Sequence, residues 1–301
     1  MTLPGPPGTP SRLTAAALAA AAVLAVALLG AGLAQHGTGE LGAPASGTTT
    51  LLRLLLLTGL AVPVGEITGR RFAGEGARPR ALAVPAALLA SAASAGLLLL
   101  FVAVSGLSPS VVYGLREGRL LLVTANACVL AALCASSRRP ALAALPLAVA
   151  IGAEALRAHP EGAPFPGTCL TLVHLTAACL WTGTLFYVLR VMRLRGGGRE
   201  VLARYARMAA WVYTALAVTG TVSTLRKLPL DAVLSTAYGR VLLVKLALFG
   251  GASLLALAAR SRMTSGGNAQ GPARVEVSVL VVILVVSALL TVVPDPHGIA
   301  P

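Results

Sequence analysis

Few side chains in this sequence can do chemistry, and most of them sit in or beside long apolar runs. His174 and Trp181 lie in "VHLTAACLWTGTLFYVL" (173–189). A spacing of seven puts them within about 20° of one face of a helix. The other histidines are His36, His159 and His297, and the ionisable residues within or at the ends of apolar runs include Glu154, Arg157, Arg240 and Lys245. Imidazole is a borderline ligand that suits copper, zinc or iron. Intramembrane ionisable groups usually face a bundle interior and find partners there. Lys245, about two turns inside its run, most needs a partner, and Glu154 is at a compatible depth. The expected ion pair is Glu154–Lys245 or Glu154–Arg240. Buried alternatives are a histidine hydrogen-bonded to a neighbouring helix, a tryptophan serving as bulk, and arginines snorkelling to headgroups.

Cys128, Cys134, Cys169 and Cys179 form no CxxC pair, so neither a disulfide framework nor a zinc site is indicated. Packing between helices is the simpler role for these small apolar thiols. No nucleophile elbow, P-loop or HExxH pattern appears, which points away from enzymatic function.

The elements that position these residues follow from composition. The 301 residues are 56% hydrophobic and only 11% charged, too little charge to cover a soluble domain of this length. The apolar runs are continuous in Leu, Ala and Val rather than alternating. The expected fold is therefore all-α, a polytopic bundle of about nine transmembrane helices. The spans are expected near 12–34, 49–66, 81–105, 119–137, 140–158, 167–190, 205–226, 238–260 and 274–293. The second and fifth are short or interrupted by Pro63 and Pro146. The first could instead be a signal peptide, since Arg12 and an apolar run precede "AGLAQ"; its length favours a retained helix, and cleavage would leave eight.

The net charge of +14 does not indicate nucleic acid, because the basic residues sit in short connections between apolar runs. With the N-terminus inside, the inner connections hold about two-thirds of the 24 Lys and Arg residues, Arg70, Arg71, Arg190 and Arg195 among them. That bias supports an N-in, C-out multi-pass protein of the cytoplasmic membrane. All four histidines then fall on the extracytoplasmic side or in the outer part of the membrane. Met1, Met192, Met208 and Met263 map to the inner side, so no methionine-rich outer site for Cu(I) is visible.

The C-terminal half resembles a known family. "HLTAACLWTG" (174–183) is similar to the His-x-x-Ala-x-x-x-Trp-x-Gly helix of the copper resistance protein D (CopD) family. "RYARMAAWVYTALAVTGTVSTL" (204–225) resembles the next helix, an Arg-Tyr opening followed by Thr-Gly. "TAYGRVLLVKLALF" (236–249), with Tyr238, Arg240 and Lys245, resembles the family's Thr-x-Tyr-Gly-Arg-x-Leu-Leu-x-Lys-Leu segment. "ARVEVSVLVVILVVSALLTVVPDP" (273–296) resembles its last helix, with Arg274 and Glu276 at the start. The resemblance divides the chain into N-terminal helices at 1–148, alike in hydropathy only, a CopD-like domain at 149–296 and a tail at 297–301.

It implies a membrane protein of copper handling that moves copper from the outer face into the cytoplasm. Its partners would be membrane lipid, copper ion and a separate extracytoplasmic CopC-like copper-binding protein. Copper ligands would be His174, His159 and His36, with His297 a further candidate. Trp181, Glu154, Tyr238, Arg240 and Lys245 would line or support the path. Where the family often has Gly-His-Ala, this chain reads Gly152-Ala153, and the nearest histidine is His159. Either His159 takes that role from the loop or the ligand is lost. The alternative function is a membrane redox protein holding haem, or an assembly factor that delivers copper; a scaffold with vestigial site residues is a third.

Overall fold

The computed structural model describes residues 12–76, 78–158, 164–195, 199–229, 232–264 and 270–294. Ten α-helices and one 3-10 turn occur among them: α1 (Arg12–Gln35), α2 (Ser46–Ala73), α3 (Ala83–Ser105), α4 (Pro109–Gly114), α5 (Arg116–Ser136), the turn Pro140–Ala143, α6 (Ala144–Arg157), α7 (Pro164–Arg195), α8 (Arg199–Lys227), α9 (Ala237–Thr264) and α10 (Gln270–Leu290). No strand occurs among the described residues. Nine of the helical segments are long and apolar enough to cross a membrane, the 3-10 turn and α6 together making one of them. The fold is the expected all-α membrane bundle.

α2 differs from expectation. Its 28 residues extend about 42 Å, longer than the roughly 30 Å apolar core of a bilayer. Pro63 does not interrupt it. A proline ring crowds the carbonyl four residues earlier, here Gly59, whose missing side chain lets α3 approach. A Cβ on Gly59 would meet the backbone of Ala86 and Ala90. Pro146 falls in the first turn of α6, where a missing N–H costs little. The six-residue α4, opening on Pro109, was not anticipated.

Two apolar cores fill the bundle. One gathers Leu56, Leu60, Leu97, Leu121, Leu147 and neighbours from α2, α3, α5 and α6. The other gathers Trp181, Leu185, Val188, Leu216, Ala252 and Leu280 from α7, α8, α9 and α10. They meet where α2 packs along α7, among the most extensive helix pairings in the chain. The crossing is built on two glycines: a Cβ on Gly65 would run into the backbone of Gly183, and one on Gly183 into the carbonyl of Ala61. Close backbone approach through small residues is how helices associate where lipid offers no hydrophobic drive.

The starts of α2, α5, α7 and α9 lie at one end of the bundle, here the His36 end. Their C-termini lie at the other, the Arg190 end. At the Arg190 end, Glu66 on α2 is buried and accepts the N–H groups of Leu82 and Ala83 at 2.7 and 3.2 Å, capping α3. Arg190 of α7 pairs with the same carboxylate at 3.1 Å and also donates to the carbonyl of Arg80. These bonds hold α2, α3 and α7 in register.

Candidate functional site

His174 lies about 15 Å along α7 from Pro164, facing α8. Its Nδ1 is 2.9 Å from the Thr219 hydroxyl oxygen. That hydroxyl sits 2.6 Å from the carbonyl of Ala215 and donates its single proton there. Thr219 is therefore left to accept, and His174 donates from Nδ1–H. This assigns the Nε2 lone pair as the free one, the arrangement in which an imidazole ligates a metal while its other nitrogen is anchored. The His174 ring edge lies beside Gly220, where an added Cβ would sit 3.7 Å from Cε1. Thr219 anchors the ring and Gly220 lies beside it, where an added Cβ would make ordinary contact. Lys245 of α9 is near enough for its charge to act on His174.

One helical face carries His174 and Trp181, as their spacing requires, and both address α8. Trp181 is buried and meets Tyr213 edge-on at 6.0 Å and Phe249 of α9 at 5.7 Å, centroid to centroid. Tyr213 and Phe249 stack with their centroids 4.9 Å apart. The Trp181 indole N–H donates to Glu276 of α10 at 2.9 Å. Tyr205 of α8 is buried beside this pair: the charge of Glu276 acts on it, and it lies against the Trp181 indole.

Glu154 is not paired with Lys245 or Arg240. Its carboxylate takes Arg157 Nη2 at 2.6 Å and Nε at 3.3 Å, one turn along α6. Arg157 also reaches Glu117 of α5 at 3.0 Å. Thr124 donates to Glu154 at 3.4 Å, and Arg53 of α2 lies within electrostatic reach of all three charged groups. The correction has a topological cause. α6 packs on α5 and α7, whereas α9 packs chiefly on α10, so equal depth does not bring Glu154 to Lys245.

Arg240 ties the start of α9 to the end of α1, donating to the carbonyl of His36 at 2.8 Å and that of Ala34 at 3.5 Å. In the same segment Thr236 accepts the Gly239 N–H at 3.1 Å, an N-cap bond. A Cβ on Gly239 would run into the carbonyl of Val233. Tyr238 packs against a small apolar cluster drawn from α1, α9 and α10. The Thr-Ala-Tyr-Gly-Arg segment thus builds the helix start, and Arg240 belongs to that anchor rather than to one polar group with Glu154 and Lys245.

The His36 side chain is exposed. His159 and His297 lie outside the described residues. Among the described residues no three His, Cys, Asp or Glu side chains gather as a metal site. Thr219, Tyr205 and Glu276 had not been singled out as site residues. Thr219 and Glu276 do stand in the quoted segments, but their partners depend on which helices touch.

Fold and site together define a polytopic helical membrane protein whose last four long helices carry an anchored imidazole, an ammonium and a buried carboxylate. Residues 199–293, from α8 to α10, match the family model described as copper resistance protein D. The segment contains Thr219, Lys245 and Glu276; His174 and Trp181 precede it. No curated protein and no solved structure matches the chain. The family is one of membrane copper resistance.

Proposed function

We propose that this chain moves copper across the cytoplasmic membrane, taking it up at the His36 end, facing outward, and releasing it at the Arg190 end, facing the cytoplasm. The supporting observation is the fixed tautomer of His174: Nδ1–H is held by Thr219, leaving Nε2 to bind a metal. The charge bias of the connections supports the N-in orientation. His36 and His159 are further ligands of the entry site, and a separate CopC-like protein is the donor. The chain carries out no covalent chemistry in this reading.

Lys245 sets the terms of the site. At an effective dielectric of about 20, two unit charges on the order of 5 Å apart repel by roughly 3 kcal/mol. Glu154 does not offset that charge, because it is committed to Arg157. Copper on His174 and a charged Lys245 beside it therefore oppose one another, and Lys245 acts as a gate that must be neutral or displaced while copper passes. Trp181 and the rings beyond it form the wall on the inward side.

The test is cellular copper content in cells carrying wild type or His174→Ala at equal expression. Wild type is expected to change copper content relative to cells without the protein, and the variant is expected to lose that change. Unchanged copper handling by the variant would remove His174 from the path. A Soret band in the purified protein would replace transport with the haem reading.

A further inference from the structure

Glu276 is a carboxylate with no cation paired to it among the described residues. It lies in the first third of α10 and is 3% exposed, on the face that carries Ala273 and Leu280 into the α7–α10 core. Glu66 and Glu154, the other deeply buried acids, each hold an arginine. Among the described residues no ion pair reaches Glu276 from α1, α2, α7, α8 or α9, and its hydrogen bond comes from the neutral indole of Trp181. Near it stands Tyr205 of α8, also 3% exposed, on which its charge acts and which lies against the same Trp181 indole.

An unpaired charge at such a place is costly, and carboxylates kept there serve proton relays or ion paths. A metal ion would need several ligands in a shell, and Glu276 is part of no such group. A proton needs neither a shell nor a cavity. We propose that Glu276 is a proton-binding site in the membrane interior, with Trp181 as the fixed donor that orients it. When the site is loaded, the Trp181 N–H holds a neutral carboxyl; when it is empty, it holds the carboxylate. The proton enters and leaves as solvated proton from the Arg190 end, where α8 and α10 begin. The site stands on the packing of α7 against α10 and is independent of copper.

The test is infrared difference spectroscopy of the full chain in lipid vesicles between alkaline and acidic buffer without metal, paired with labelling by an apolar carbodiimide, which traps protonated carboxyls in apolar surroundings. A protonated-carboxyl band is expected to grow on acidification, to be lost in Glu276→Gln and to shift in Tyr205→Phe. Peptide mapping is expected to find the adduct on Glu276, with labelling that declines as pH rises. If Glu276→Gln does not fold, wild-type labelling and Tyr205→Phe carry the test. Absence of a Glu276 band or adduct at every pH overturns the proposal. So does a carboxyl that stays protonated throughout.

Discussion

Replacing Glu154 by Gln keeps the shape of the side chain and removes its charge. Both members of the Glu154–Arg157 pair are nearly closed to solvent, at 7% and 5% exposure, with contacts of 2.6 and 3.3 Å, so screening discounts the interaction little. Removing one partner of a fully buried ion pair costs about 3–5 kcal/mol. Arg157 keeps Glu117 at 3.0 Å, however, and the half-exposed Glu117 lets water share the load. The expected cost is therefore nearer that of one hydrogen bond to a charged group, about 1.5–3 kcal/mol. A double-mutant cycle isolates the pair: Glu154→Gln and Arg157→Gln, singly and together, followed by unfolding of the detergent-solubilised protein with circular dichroism. A coupling of about 2 kcal/mol is expected. The parallel cycle of Glu154→Gln with Lys245→Gln is expected to be additive within about 0.5 kcal/mol. Additivity with Arg157, or equal coupling with Lys245, would refute the placement of α6 beside α5 and α7.

Two further perturbations follow from the geometry. Gly183→Ala drives a methyl into the Ala61 carbonyl and should cost about 1–3 kcal/mol by overpacking, whereas Gly152→Ala, with open space around it, should stay within about 0.5 kcal/mol; comparable unfolding midpoints would contradict the tight α2–α7 crossing. Thr219→Val removes the acceptor that fixes the imidazole, and copper affinity should fall roughly 10–100-fold while unfolding changes little, read by metal titration of the purified protein; unchanged affinity would sink the tautomer argument.

The helices were legible because uninterrupted Leu, Ala and Val runs of about 20 residues admit one structure in a bilayer. The sequence around Glu66, Arg70 and Arg71 looks like a connection, yet α2 runs on to Ala73. The helix continues since Glu66 turns its charge to Arg190 and to the amides that open α3. The face shared by His174 and Trp181 was legible from the helical repeat alone. Pairing was not, because depth along a helix says nothing about which helices are neighbours. Glu154 and Lys245 match in depth yet sit on helices with different partners, and Glu276 stood in the sequence as the start of a last helix with no hint that Trp181 would reach it.

The claim at the centre of this account is that His174 is a copper ligand. The most direct measurement is calorimetric titration of the purified full chain with Cu(I) and Cu(II), wild type against His174→Ala, at matched folding by circular dichroism. Saturable copper binding that His174→Ala abolishes or weakens by at least about tenfold, a loss near 1.4 kcal/mol, is the predicted result. Equal binding by the two proteins, or no binding by wild type, would contradict it.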